Sequence, residues 1–316
     1  MDRTQHHARR HAGFTVTELI VVVSIIALII ALLVPSIAKV RASTRTLRCL
    51  TNQRQITQGA YAYATANAGR WASPRTDIAG TLWINGADDY GVGGTSGNPK
   101  GTPHAWVSAQ GSNVTGLYEK ISALEQGALW PYIGTVAAYV SPEEPTNPYA
   151  LQNPGANTRV RSYSFNACLG VTRPDELTNY DGAFKNPDTG VTVPLSVYNT
   201  STIATVKQPS RMLSTLVEDD SVQWNLHGWI ISPQPSTRQW VDLPAPWRPD
   251  AVTMTYVDGS TQSYEMSNAA ILELNYTMPH LAPGPIDASG TCWDWKYFRD
   301  RLNPGVLPAL PNLPPT

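Results

Sequence analysis

The sequence is short of charge, cysteine and phenylalanine. Charged residues are 15% of 316, below the usual quarter of a soluble protein. The formal net charge is −1, so no global field draws in nucleic acid or acidic partners. Three cysteines, Cys49, Cys168 and Cys292, are odd in number and widely spaced. They allow at most one internal disulfide and exclude C-x-x-C metal or redox chemistry. No H-E-x-x-H, G-x-S-x-G or P-loop pattern is present. Catalysis is therefore not expected, and no catalytic residue is assigned.

What the chain does have is 26 Pro, 23 Gly, 10 Trp and 14 Tyr against 4 Phe. This mix points to a loop-rich, β-leaning body whose aromatics tolerate half-wet surfaces. Its organising stretch is Gly13 to Val40. Gly13-Phe14 is followed four residues later by Glu18, then by sixteen residues, Leu19 to Val34, in which only Ser24 is polar. Pro35 closes the run. As a helix, Phe14 to Val34 spans about 30 Å, close to a bilayer core. A carboxylate held deep in such a run costs about 2.5–3.5 kcal/mol on insertion scales, so Glu18 needs a partner.

A basic start with Arg3, Arg9 and Arg10 ahead of an apolar run is the pattern of a secretory signal. Yet Val34-Pro35-Ser36-Ile37 offers no A-x-A cut site, and the small residue, Gly13, stands before the apolar core. A plain uncleaved anchor is the other simple reading. Loop charge does not orient it, because Lys39, Arg41, Arg45 and Arg48 lie beyond the core.

Gly13-Phe14-Thr15-Val16-Thr17-Glu18-Leu19 resembles the processing site of type IV prepilins and type II secretion pseudopilins. The resemblance implies cleavage by a prepilin peptidase after Gly13 and N-methylation of Phe14. It implies a leader left in the cytoplasm, a body in the periplasm and a single pass through the inner membrane, possible surface exposure following assembly. Glu18, the fifth mature residue, would meet the N-terminal amine of a neighbouring pilin or pseudopilin subunit. Such an ion pair offsets desolvation only when the partner is close and well placed. Pro35 matches the family's helix proline and is expected to kink the helix rather than end it. The implied partners are the peptidase, other subunits and inner-membrane lipid; no nucleic-acid partner is expected.

Beyond Pro35, Ile37, Val40, Leu47, Leu50, Ile56, Ala60 and Tyr63 recur at helical spacing, and Asn67-Ala68-Gly69 supplies a stop. These apolar positions are the expected seam against the body. The four arginines, Arg41, Arg45, Arg48 and Arg54, lie mostly elsewhere and fit a solvated face better than a lipid or DNA contact. The expected divisions are 1–13 leader, 14–35 membrane or filament-core helix, 36–67 soluble helix, 68–302 β-rich body and 303–316 Pro-rich, mobile tail. The whole would be an α+β, pilin-like fold, with the long helix on an antiparallel sheet enlarged by loops.

Arg48-Cys49-Leu50 to Ile56, with Tyr61, Tyr63 and Gly69-Arg70-Trp71, resembles a large bacterial branch of pseudopilin-like proteins. Leu129-Trp130-Pro131 and Arg161 to Asn166 extend that likeness. The branch often carries a later Cys-Pro, whereas this chain reads Ser141-Pro142, so the disulfide from Cys49 is not available. Its hairpin often has a His ten residues before the Asp; here Arg248 stands there.

In the body, Trp71 to Lys120 reads as long loops, and Leu124 to Tyr132 as a short helix closing at Pro131. Strands are expected at Arg161–Asn166, Met212–Val217 and Val222–Ile231. Ala251 to Met266 alternates on both sides of Asp258-Gly259 and predicts a β-hairpin with a two-residue turn. Trp293 to Phe298 predicts a short helix.

Acidic clusters at Asp88-Asp89, Glu143-Glu144 and Glu218-Asp219-Asp220 offer oxygens for Ca²⁺, which major pseudopilins hold in a C-terminal loop. None has the alternating spacing of a known loop, so solvated tips are the expectation and no cofactor is assigned. His104, His227 and His280 stand in no zinc motif. Trp71, Trp83, Trp106 and Trp240, if exposed, would stack on sugars or bases and make a pilin-anchored, adhesin-like binding module. Filling a core poor in Phe is the simpler use for them.

Overall fold

The protein is described from a computed structural model. The described residues are 15–72, 74, 124–125, 127–144, 161–170, 200–218, 228–229, 231, 240, 242–247, 251–267 and 293–307. The chain divides into two compact units, Met1–Arg45 and Thr46–Thr316. The architecture is α+β: a long N-terminal helix, α1 (Val16–Ala66), and a four-stranded antiparallel sheet.

The first unit contributes the apolar part of α1. Every large apolar residue from Val16 to Val34 is 45–74% exposed. Its few hydroxyls turn back onto the helix, as Ser24 Oγ does to the Ile20 carbonyl at 2.7 Å. Pro35 lies inside α1 and does not end it, as expected. Among the described residues, this is the one helix long and apolar enough to cross a membrane.

The second unit is built on the sheet. Its strands are β1 (Tyr163–Phe165), β2 (Leu213–Val217), β3 (Ala251–Tyr256) and β4 (Thr261–Glu265), in sequence order across the sheet. Both faces of β3 are buried. Alternation sends Thr253 to the Thr46–Ala66 part of α1 and Tyr256 to a short helix, α3 (Trp293–Leu302). On the α3 face, Trp229 and Trp240 meet Phe298 with ring centroids 5.6 and 5.9 Å away, and Tyr264 stacks on Tyr297 at 3.7 Å. Asp294, fully buried in the first turn of α3, accepts bonds from the Tyr264 hydroxyl at 2.7 Å and the Ser267 amide at 3.0 Å.

The other face differs from the expected apolar seam. Leu47 is 64% exposed and Leu50 only half-buried. Ile56, Ala60 and Tyr63 lie on the buried face of α1 as expected, but they share it with Thr46, Cys49, Gln53, Thr57, Gly59 and Ala64. Thr46, Cys49, Gln53 and Thr57 among these nine are polar or thiol-bearing; the sheet supplies partners for Cys49, Gln53 and Thr57, and Glu143 for Thr46. The Gln53 amide donates to Thr253 Oγ1 at 2.9 Å and accepts from Thr215 Oγ1 at 3.3 Å. Thr57 Oγ1 donates to Ser214 Oγ at 2.8 Å. An irregularity in the β2–β3 register between Leu213 and Thr215 lets both consecutive hydroxyls reach α1.

Three further expectations are corrected. Pro131 opens rather than closes a helix: α2 (Trp130–Ile133) has it in the first turn, where its missing N–H goes unused, and Gly134 at φ 65° closes it. The hairpin connection has three residues, not two. The Gly259 amide bonds to the Tyr256 carbonyl at 2.9 Å and the Tyr256 amide to the Ser260 carbonyl at 2.8 Å. Gly259, at φ 83°, takes the left-handed position that such a loop needs. The chain from Asn303 begins in a buried turn, with the Asn303 amide bonded to Thr200 Oγ1 at 2.8 Å. α1 stops at Ala66, and the predicted end signal holds, the Gly69 amide closing on the Ala64 carbonyl at 2.8 Å. Of the expected strand 222–231, only Gly228, Trp229 and Ile231 are among the described residues, and Trp229 and Ile231 each make a single bridge.

Gly59 faces Ile133 across the helix–helix contact, where an added Cβ would lie 2.8 Å from Ile133 Cγ1. Gly59→Ala gains about 1 kcal/mol in helix propensity. Overpacking at such a contact costs roughly 1–3 kcal/mol and wins. The variant is expected to melt below the wild type in the same detergent; an equal or higher melting point contradicts the close approach.

Candidate functional site

The carboxylate at the head of α1 has a partner three residues away. The Thr15 backbone N–H and hydroxyl both donate to Glu18 Oε2, each at 2.8 Å, and the Glu18 N–H returns a bond to Thr15 Oγ1 at 3.2 Å. This is a reciprocal capping box. Thr15 is the N-cap and Glu18 the third helical residue, two otherwise orphaned donors are satisfied, and the charge sits at the positive end of the helix dipole. The expectation omitted Thr15, although T-x-x-E before an apolar run is its sequence signal. Among the described residues Oε1 of Glu18 has no partner, so the carboxylate keeps one oxygen open.

Glu18 and Pro35 therefore lie on one helix, at its first turn and near its middle. Gly13 and Phe14, the expected cleavage and methylation residues, lie outside the described residues. So do Asp88, Asp89, Asp219, Asp220, Arg248, His104, His227, His280, Trp83 and Trp106.

The described members of the expected acidic clusters are held by hydroxyls. Glu143 accepts from Thr46 Oγ1 at 2.5 Å, Glu144 from Ser162 and the buried Glu218 from Ser164. Among the described residues, no group of three His, Cys, Asp or Glu side chains comes together as a cation would require. Trp71 is 3% exposed and Trp240 is fully buried, so neither offers a stacking face. Tyr61 packs edge-on against Trp71 at 4.9 Å.

Cys49 and Cys168 are buried free thiols, and Cys292 lies outside the described residues. Cys49 sits in the polar seam, its Sγ 3.3 Å from Ser141 Oγ and 2.9 Å from Thr253 Oγ1. Tyr163 donates to the same sulfur at 3.4 Å. Ser141 thus occupies the place from which a second thiol would reach Cys49.

The fold and this site define a coarse class: an α+β chain with one N-terminal helix apolar enough to cross a membrane and a capped carboxylate at its head. No protein-family model, curated protein or solved structure matches the chain.

Two outcomes follow for the thiols. Ser141→Cys is expected to form a disulfide with Cys49 on oxidation and to add about 2–4 kcal/mol of stability by closing a long loop. Thiol counting checks this: the folded variant should hold no more free thiols than reduced wild type minus one, and an added free thiol refutes it. Burial pushes the Cys168 thiol from 9.0 up to about 12. The folded chain therefore keeps a proton that the unfolded chain releases in this window. Stability falls as pH rises from about 9 towards 12, by up to about 1.4 kcal/mol per pH unit from this group. Urea midpoints at stepped pH should show a shallower fall for Cys168→Ala.

Proposed function

We propose that the chain is a membrane-anchored pilin-like or pseudopilin subunit, cut after Gly13, N-methylated at Phe14 and assembled into a type II secretion or type IV pilus-like filament. The carrying observation is the apolar stretch Val16–Val34, exposed along its length and headed by Glu18 with one oxygen unengaged. An exposed apolar surface of this extent marks a lipid or protein contact. A bilayer takes it up before assembly, and the same stretch on neighbouring subunits takes it up afterwards.

The capping box refines the part played by Glu18. Thr15 satisfies Oε2 within the subunit, which lowers the cost of carrying a carboxylate at the edge of lipid. Oε1 remains for the N-terminal amine of a neighbour, so the helix need not break its own cap to dock. In this reading Pro35 relaxes one helical hydrogen bond at the end of the apolar run, and the α+β body presents a pilin-like surface. The role is structural rather than catalytic, with no cofactor, the leader cytoplasmic, and the body on the far side of the inner membrane.

Glu18→Ala separates processing from assembly. The variant is expected to be cleaved at the wild-type rate and to remain in the membrane fraction, with entry into sheared, sedimentable polymer reduced on the order of tenfold, the loss of one desolvated ion pair. Polymer incorporation equal to wild type would contradict the assembly role.

A further inference from the structure

The first unit also carries three cations without a side-chain partner among the described residues. Lys39, Arg41 and Arg45 follow the apolar run, and all three are exposed. Arg41 and Arg45 are one helical turn apart and share a face. From Leu19 to Ala66 the sequence contains no Asp or Glu, so no carboxylate one turn away is available to pair with them. Among the described residues none of the three makes a side-chain hydrogen bond or an ion pair.

Their register matters. Lys39 stands five residues past Val34 and Arg45 eleven, which is about 8 and 16 Å along the axis. A headgroup layer adds roughly 5–8 Å beyond the hydrocarbon on each side. Long basic side chains extend their charge back towards that plane, and a Debye length of about 8 Å covers the remainder. The cations therefore lie within electrostatic reach of lipid phosphates. With the leader cytoplasmic, they stand on the side that the loop-charge rule disfavours. A compensating contact on that side offsets the conflict.

We infer that Lys39, Arg41 and Arg45 form a contact for anionic phospholipid headgroups, the phosphodiesters of the leaflet next to the body. Guanidinium groups match phosphate oxygens in pairs, and the ammonium adds a point charge. The inference rests on the membrane-anchored reading of Val16–Val34.

The test uses the full chain in mixed phosphatidylcholine and phosphatidylglycerol nanodiscs, counting the lipids retained after release by native mass spectrometry. Phosphatidylglycerol should be retained in preference to phosphatidylcholine, with the affinity ratio rising on the order of fivefold per cation at low salt. Lys39→Gln/Arg41→Gln/Arg45→Gln should lose the enrichment while floating with vesicles like wild type. Free glycerol phosphate should fail to displace the lipid. An inserted wild-type chain without enrichment overturns the inference alone, as does enrichment that survives the triple substitution. Displacement by free glycerol phosphate overturns it in favour of a soluble anion. Duplex DNA that outcompetes the anionic lipid overturns it in favour of nucleic acid. A wild-type chain that fails to float overturns both the inference and the anchor reading.

Discussion

Gln53 is fully buried on α1, and the register of helix against sheet depends on satisfying its amide. Thr253 accepts from one end and Thr215 donates to the other, on two neighbouring strands. A buried amide without partners costs about 1–3 kcal/mol, so a slip of the helix by one turn is penalised at Gln53, Cys49 and Thr57 together. An apolar seam would tolerate such a slip far better, because hydrophobic burial is not directional. The polar seam trades some burial energy for a single alignment, with the aromatic cluster of Trp229, Trp240 and Phe298 supplying apolar burial on the opposite face.

The first unit has the opposite problem. Its apolar side chains have no cover, and its single carboxylate lies at their edge. Thr15 resolves half of that problem inside the chain by occupying Oε2 of Glu18. Oε1, without a partner among the described residues, is the half that the proposed function assigns to a second molecule. A surface patch and an under-satisfied charge on the same helix favour one explanation for both, namely insertion in lipid followed by docking on another copy.

The sequence carried the regular elements well where they were periodic. The apolar run, the passage of α1 through Pro35, its stop at Asn67–Gly69 and strands β1 to β4 all follow from spacing and turn residues. The seam was not legible, because Cys49, Gln53 and Thr57 are surface-like residue types. Thr253, Thr215 and Ser214, some 157–204 positions away, make them core, with Ser141 and Tyr163 also against Cys49. The hairpin turn was misjudged by one residue, since Asp-Gly fits both a two-residue loop and the end of a three-residue one. The capping box is legible in Thr15-Val16-Thr17-Glu18, where the donor nearest to the carboxylate is Thr15 of the same chain.

The proposed processing makes Phe14 the first residue of the working chain. Intact mass and N-terminal peptide sequencing of the protein from native membranes test it directly. The account predicts a chain starting at an N-methylated Phe14, with the basic leader gone. A chain retaining Met1, or one cut beyond Val34, would contradict it.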